Sequence, residues 1–224
     1  CIRDSSSGQP VYVTYNLTNG ELKVYELGGL GELYGVAYGN GYFAAVGYVN
    51  DSGLMLLISG NGGYSVVRLP SDFKVLYGVS FGDGGFLIVG EGSRGAVAGF
   101  YNLSNSLITD YSSSLPSSYN YALYSASYGY LGFMVVGEGL TNSSEYPIVG
   151  LLNVTSGSFR DLSGSFTQYS VIIGVSYIDY TYLLVGSAAS GSGGYGYYSL
   201  YGINALYSTV QSNNPYFPLI LYSA

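Results

Sequence analysis

Residues 33–47 read LYGVAYGNGYFAAVG, residues 76–90 read LYGVSFGDGGFLIVG, residues 123–137 read LYSASYGYLGFMVVG, and residues 172–186 read IIGVSYIDYTYLLVG. These are four copies of one unit, and their closing glycines, Gly47, Gly90, Gly137 and Gly186, stand 43, 47 and 49 residues apart. Each copy reads as two short runs of β-branched and aromatic residues joined by a turn. Asn40-Gly41 and Asp83-Gly84 are dipeptides that tolerate the positive φ angles of a two-residue hairpin turn. The unit is therefore a β-hairpin.

A second hairpin family lies between the copies. Val11 to Leu27 (VYVTYNLTNGELKVYEL), Leu54 to Leu69 (LMLLISGNGGYSVVRL), Val97 to Tyr111 (VAGFYNLSNSLITDY) and Pro147 to Leu162 (PIVGLLNVTSGSFRDL) share an apolar strand, a polar turn and a second strand. Tyr197 to Val210 (YYSLYGINALYSTV) is a weaker fifth member. Long segments with helical periodicity are missing, so the fold class is all-β. Four antiparallel strands recurring every ~45 residues is the pattern of propeller blades. The GVAYGNGYFAAVG-type unit (residues 35–47) resembles blades of kelch-, galactose-oxidase- and sialidase-like propellers. That resemblance implies a β-propeller-like array of about five four-stranded repeats, the last incomplete. It carries no function of its own. A two-sheet β-sandwich is the alternative architecture. Residues 1–10 (CIRDSSSGQP) read as a polar N-terminal segment and residues 11–224 as a single β-repeat domain.

Composition closes several functional classes. The chain has no His, which excludes Ser-His-Asp and Cys-His catalysis and His-ligated metals. Its one Cys excludes an internal disulfide framework. Six Lys and Arg against thirteen Asp and Glu give a net charge of −7, with no basic run for a nucleic acid backbone. No apolar run is long enough for a transmembrane helix. Charged residues make up only 8% of the chain, against roughly 25% in ordinary soluble domains. The expectation is a non-enzyme without cofactor or metal, with no nucleic acid partner and no transmembrane segment.

The strand count does not close. The two hairpin families and Phe217 to Tyr222 (FPLILY) supply nineteen strands, whereas five blades of four need twenty. An unpaired sheet edge invites another strand. The expected interface residues are Val11, Val13 and Tyr15 on the first strand and Phe217, Leu219 and Leu221 on the last. Either the first strand, released from its own blade, or the last strand is the expected donor, with the acceptor edge near residues 217–222.

Asn16, Asn50, Asn102, Asn142 and Asn153 each begin an Asn-x-Ser/Thr sequon. Asn16, Asn102 and Asn153 fall at the same turn of successive hairpins, which predicts N-linked glycans and an extracellular or cell-surface location. Cys1 is a candidate for lipidation or for a crosslink between subunits. Asp51, Asp83, Glu91, Glu138 and Asp179 read as solvated turn acids, and Ser187 to Gly196 (SAASGSGGYG) as a flexible loop. This Tyr-, Ser- and Gly-rich, charge-poor composition resembles archaeal extracellular threads, glycosylated fibres joined by donor-strand complementation. The resemblance implies a structural filament or surface-lattice subunit that partners with itself. The second expectation is a secreted or lipid-anchored propeller that binds glycans or a surface partner.

Overall fold

The computed structural model describes residues 8–60, 62–141, 144–167, 169–188 and 193–199. Cys1, Asn142, Phe217, Leu219 and Leu221 lie outside them. Among the described residues seventeen strands and two short 3-10 turns account for the regular structure. The chain opens with a two-stranded hairpin, β1 (Val11–Tyr15) and β2 (Leu22–Glu26). Three four-stranded antiparallel meanders follow. The first comprises β3 (Gly31–Gly39), β4 (Tyr42–Val49), β5 (Ser52–Ser59) and β6 (Tyr64–Val66). The second comprises β7 (Phe73–Gly82), β8 (Gly85–Gly92), β9 (Gly95–Asn102) and β10 (Leu107–Asp110). The third comprises β11 (Ala122–Gly129), β12 (Gly132–Leu140), β13 (Glu145–Asn153) and β14 (Ser158–Asp161). A last sheet orders β15 (Tyr169–Ile178), β16 (Thr181–Ala188) and β17 (Gly193–Ser199).

These are separate sheets in series, a propeller-like array and not the two facing sheets of a sandwich. Each repeat unit forms the first two strands of its sheet, and the inner strands β3, β7, β11 and β15 lie side by side. The third position of the unit is small in every copy: Gly35, Gly78, Ser125 and Gly174. A Cβ on Gly78 would sit 2.7 Å from the Tyr124 carbonyl oxygen, so the convergence of inner strands demands this. Where the residue is Ser125, its hydroxyl accepts the Val175 N–H at 3.4 Å.

The closing glycine has a different cause. Each inner strand carries a β-bulge, at Leu33/Gly35, Leu76/Gly78, Leu123/Ser125 and Ile172/Gly174. The same inner strand brings a carbonyl against its neighbour: those of Glu32, Val75, Ala122 and Val171 press against Gly47, Gly90, Gly137 and Gly186 with no room for a Cβ. Between sheets the packing also repeats. Phe86 buries against Ala44 and Val46, Phe133 against Leu87 and Val89, and Tyr182 against Met134 and Val136. The second strand of every sheet thus presents an aromatic residue backward and alternate aliphatic residues forward.

The glycine-rich stretch 187–196, expected as a loop, is largely strand. Ser187 and Ala188 end β16 and Gly193 to Gly196 open β17, paired from Ser187↔Gly193 to Thr181↔Ser199. Residues 8–10 are tied in, because the Gly8 and Pro10 carbonyls accept the N–H groups of Gly31 and Leu27.

The bulge predicts an asymmetry between glycines. Gly90→Ala forces the Val75 carbonyl aside and is expected to cost about 1–3 kcal/mol in urea unfolding. Gly164→Ala, with nothing within 4 Å of its added Cβ, should stay within about 0.5 kcal/mol of the unaltered protein.

Candidate functional site

The hairpin β1–β2 occupies the place of the third and fourth strands of a sheet. Its Asn16 turn matches the Asn102 and Asn153 turns that join the third and fourth strands of later sheets. No strand pairs with the other edge of β1 among the described residues. Beside that edge runs a groove of about 740 Å³, with β1 along one wall and Leu33, Val36, Phe43, Ala45 and Ile58 along the other.

Comparison within the molecule shows what the groove lacks. Phe43 is 42% exposed, whereas its counterparts Phe86, Phe133 and Tyr182 are fully buried. Val36 is 67% exposed, whereas Val175 and Ala126 at the same position are 8% and 9% exposed. The cover that each later sheet receives from its predecessor is missing here. At the other end of the array the complementary face is open. Leu183 is 43% exposed, whereas Ala44, Leu87 and Met134 at its position are fully buried beneath the next sheet.

Val11, Val13 and Tyr15, expected at an interface, line this groove. They stand in five-residue register with β2 from Val11↔Glu26 to Tyr15↔Leu22, and Tyr12 between them is buried, stacked on Tyr25 at 4.6 Å. The expected donation by this strand therefore requires its release from β2.

A second constellation sits on the bulges. Tyr34, Tyr77 and Tyr124 are the residues that the bulges insert, and their rings form a row with centroids 5.4 Å apart at each step. Tyr48 extends the row, 6.1 Å from Tyr34, and Ile173 takes the place of tyrosine in the last sheet. The residue after the closing glycine faces the bulge: the Tyr77 hydroxyl donates to Glu91 Oε2 at 3.3 Å and the Tyr124 hydroxyl to Glu138 Oε2 at 2.9 Å. Burial raises the Tyr77 phenol to about 12, with the Glu91 charge adding to it. Glu91 and Glu138 are thus half-buried acceptors, not the solvated turn acids expected. Asp83 also has a partner, accepting the Thr155 hydroxyl from a neighbouring sheet at 2.7 Å. Spacing carried a signal for the tyrosine pairs, because Glu91 and Glu138 each follow their tyrosine by 14 residues. Among the described residues no group of three or more Asp, Glu or Cys is placed to hold a metal ion.

The sequons divide in two. Asn16, Asn102 and Asn153 use their side-chain oxygens to accept the N–H of Thr18 at 2.8 Å, Ser104 at 2.8 Å and Thr155 at 3.0 Å. These are Asx-turns, so the recurrence of Asn at this corner has a folding cause of its own. Asn50 differs: it is exposed in the β4–β5 turn at φ 47, and its Oδ1 accepts the Leu30 N–H at 3.0 Å.

No family model matches the chain, and neither does any curated protein sequence. Solved structures do resemble it. A luciferin-regenerating enzyme, itself a β-propeller, superposes with a TM-score of 0.54 at 9% identity, over 92% of this chain and 70% of that one. Virginiamycin B lyase from Staphylococcus aureus follows at a TM-score of 0.48 and 12% identity, over 92% of this chain and 85% of that one. At this identity the likeness is one of fold. No helix among the described residues is long and apolar enough to cross a membrane.

Glu138 offers a test of the tyrosine row. Burial raises its carboxyl above the usual range, the Tyr124 hydrogen bond lowers it, and Glu145 adds to the rise. A carboxyl raised on folding contributes stability at acidic pH, and that contribution is lost as pH rises through the raised value. Tyr124→Phe should move the Glu138 titration, followed by carboxyl NMR, further upward. Glu138→Gln should gain stability over the unaltered protein at neutral pH and gain nothing well below about pH 4, where the unfolded carboxyl is itself protonated.

Proposed function

We propose that this protein is a non-catalytic structural subunit of an extracellular filament or cell-surface lattice, assembled by β-strand complementation between copies. The observation that carries this reading is the half-sheet β1–β2, whose other edge pairs with no strand among the described residues and adjoins a groove with Phe43 and Val36 exposed. Strand addition there supplies backbone hydrogen bonds along β1, and alternate side chains cover the apolar wall. The open Leu183 face at the far end makes the contact heterologous, one surface meeting a different one, which generates rings or open fibres. A composition with 8% charged residues and many Ser and Tyr hydroxyls and Asn amides fits a protein held in a solid assembly. Its partners are further copies of itself and N-linked glycans at the sequons.

A second reading has its own observation. The row of Tyr34, Tyr77 and Tyr124 beside Glu91 and Glu138 combines aromatic faces with hydrogen-bond acceptors, as sugar-binding surfaces do. It favours a secreted or lipid-anchored propeller that binds glycans or a surface partner.

Negative-stain microscopy of native material separates the two, because fibres or sheets follow from the first reading and discrete particles from the second. Val36→Glu sharpens the test. The residue is exposed in the single chain, so the variant should fold within about 0.5 kcal/mol of the unaltered protein. It should nevertheless stay unassembled, because complementation would bury its carboxylate. Fibres formed normally by this variant would refute groove-mediated assembly. Glycopeptide mass spectrometry of the native protein should find sugar at Asn50, the sequon outside the Asx-turn family.

A further inference from the structure

Two residues in the segment Phe217 to Tyr222 (FPLILY) depart from the rule followed by the second strand of each described repeat sheet. In β4, β8, β12 and β16 an aromatic residue is followed four positions later by glycine: Phe43 and Gly47, Phe86 and Gly90, Phe133 and Gly137, Tyr182 and Gly186. In the segment Phe217 is followed four positions later by Leu221. That glycine is compelled by the carbonyl of a bulged inner strand. Were the segment a second strand, Leu221 would fit this position only in a sheet whose inner strand is absent. Pro218 says the same, because a strand paired on both sides uses every N–H and proline is confined to edges. Among the described residues one sheet lacks both its inner strands, the β1–β2 sheet with the groove at its edge.

We infer that residues 217–222 are the donor strand, and that this strand from one copy enters the groove of a second copy and pairs antiparallel with β1. The inference rests on the reading of the protein as a strand-complemented assembly. Register follows from the repeat. Second and third strands pair as Phe43↔Ile58, Phe86↔Tyr101 and Phe133↔Leu152, one residue before the turn. The same position on β1 is Tyr15, so Phe217 falls opposite Tyr15, Leu219 opposite Val13 and Leu221 opposite Val11. Apolar residues then face one another in all three pairs. Pro218 and Ile220 turn forward over Val36 and Phe43, as Ala44 and Val46 stand over Phe86. Phe217 and Leu219 turn backward and meet the open face of Leu183 in the donor's own array. The 17 residues between β17 and Phe217 span at most about 60 Å when extended, which gives the segment reach beyond its own last sheet.

A cysteine pair reads donor and source together. Opposed residues of an antiparallel pair have Cα atoms about 4.5–5.5 Å apart, within disulfide range. In a Cys1→Ser background, Val13→Cys with Leu219→Cys should give, after mild oxidation, a ladder of covalent oligomers on a non-reducing gel. Val13→Cys with Ile220→Cys, one residue out of register, should give at least about tenfold less crosslinked product. A single faster-migrating monomer would show the strand closing its own chain and would overturn donation between copies. Crosslinking that ignores register would overturn the pairing. A second variant, Ile220→Asp in the otherwise unaltered chain, should abolish assembly, with folding checked by circular dichroism. If Ile220→Asp still forms fibres, another segment is the donor, while the complementation reading stands. If the unaltered protein forms no assembly in microscopy, that reading itself fails.

Discussion

The fold depends on how closely the inner strands approach their neighbours. A bulge in each inner strand, and a carbonyl of that strand set against the closing glycine, fix the pairing of the first two strands in every repeat sheet. The same convergence would press a Cβ on Gly35 or Gly78 against a carbonyl of the next inner strand, and it sets the Ser125 hydroxyl against the Val175 N–H. With the backbones held this closely, a second strand with a sheet on either side, as β8 and β12 have, is buried on both faces. Continuous apolar runs such as Phe86 to Val89 follow from this double burial, where a half-exposed strand would show alternation.

Much of this was legible in the residues. The repeated unit, its Asn-Gly and Asp-Gly turns and its invariant last glycine announce tandem hairpins, and the structure supplies the physical reason for the glycine. Three things were not legible. Residues 193–196 have no β-branched side chain and read as loop. They nevertheless open β17, because ladder hydrogen bonds come from the backbone and β16 offers a ready edge. Glu91 and Glu138 looked like turn acids, because their tyrosine partners lie on another strand and are aimed by a bulge that no local pattern reveals. The sequons recur for a reason that involves no sugar, since asparagine closes the corner between third and fourth strands.

The candidate site was half visible. The odd strand count pointed to an edge in need of a partner, and Val11, Val13 and Tyr15 line a groove beside β1. In the single chain that strand is paired with β2 and Tyr12 is buried, so donation by it requires release from its own hairpin. What no sequence pattern shows is the contrast between equivalent positions. Phe43 and Phe86 occupy the same place in the repeat, and only the presence of a preceding sheet separates an exposed ring from a buried one.

The two uncovered faces are unlike each other, aromatic at the β3–β4 end and aliphatic at Leu183. If copies add to one another through these faces, as proposed, the resulting chain is directional: every growing tip presents either a vacancy or a plug, never both. A cell that caps one kind of tip with an anchoring molecule would thereby set the orientation of the entire fibre.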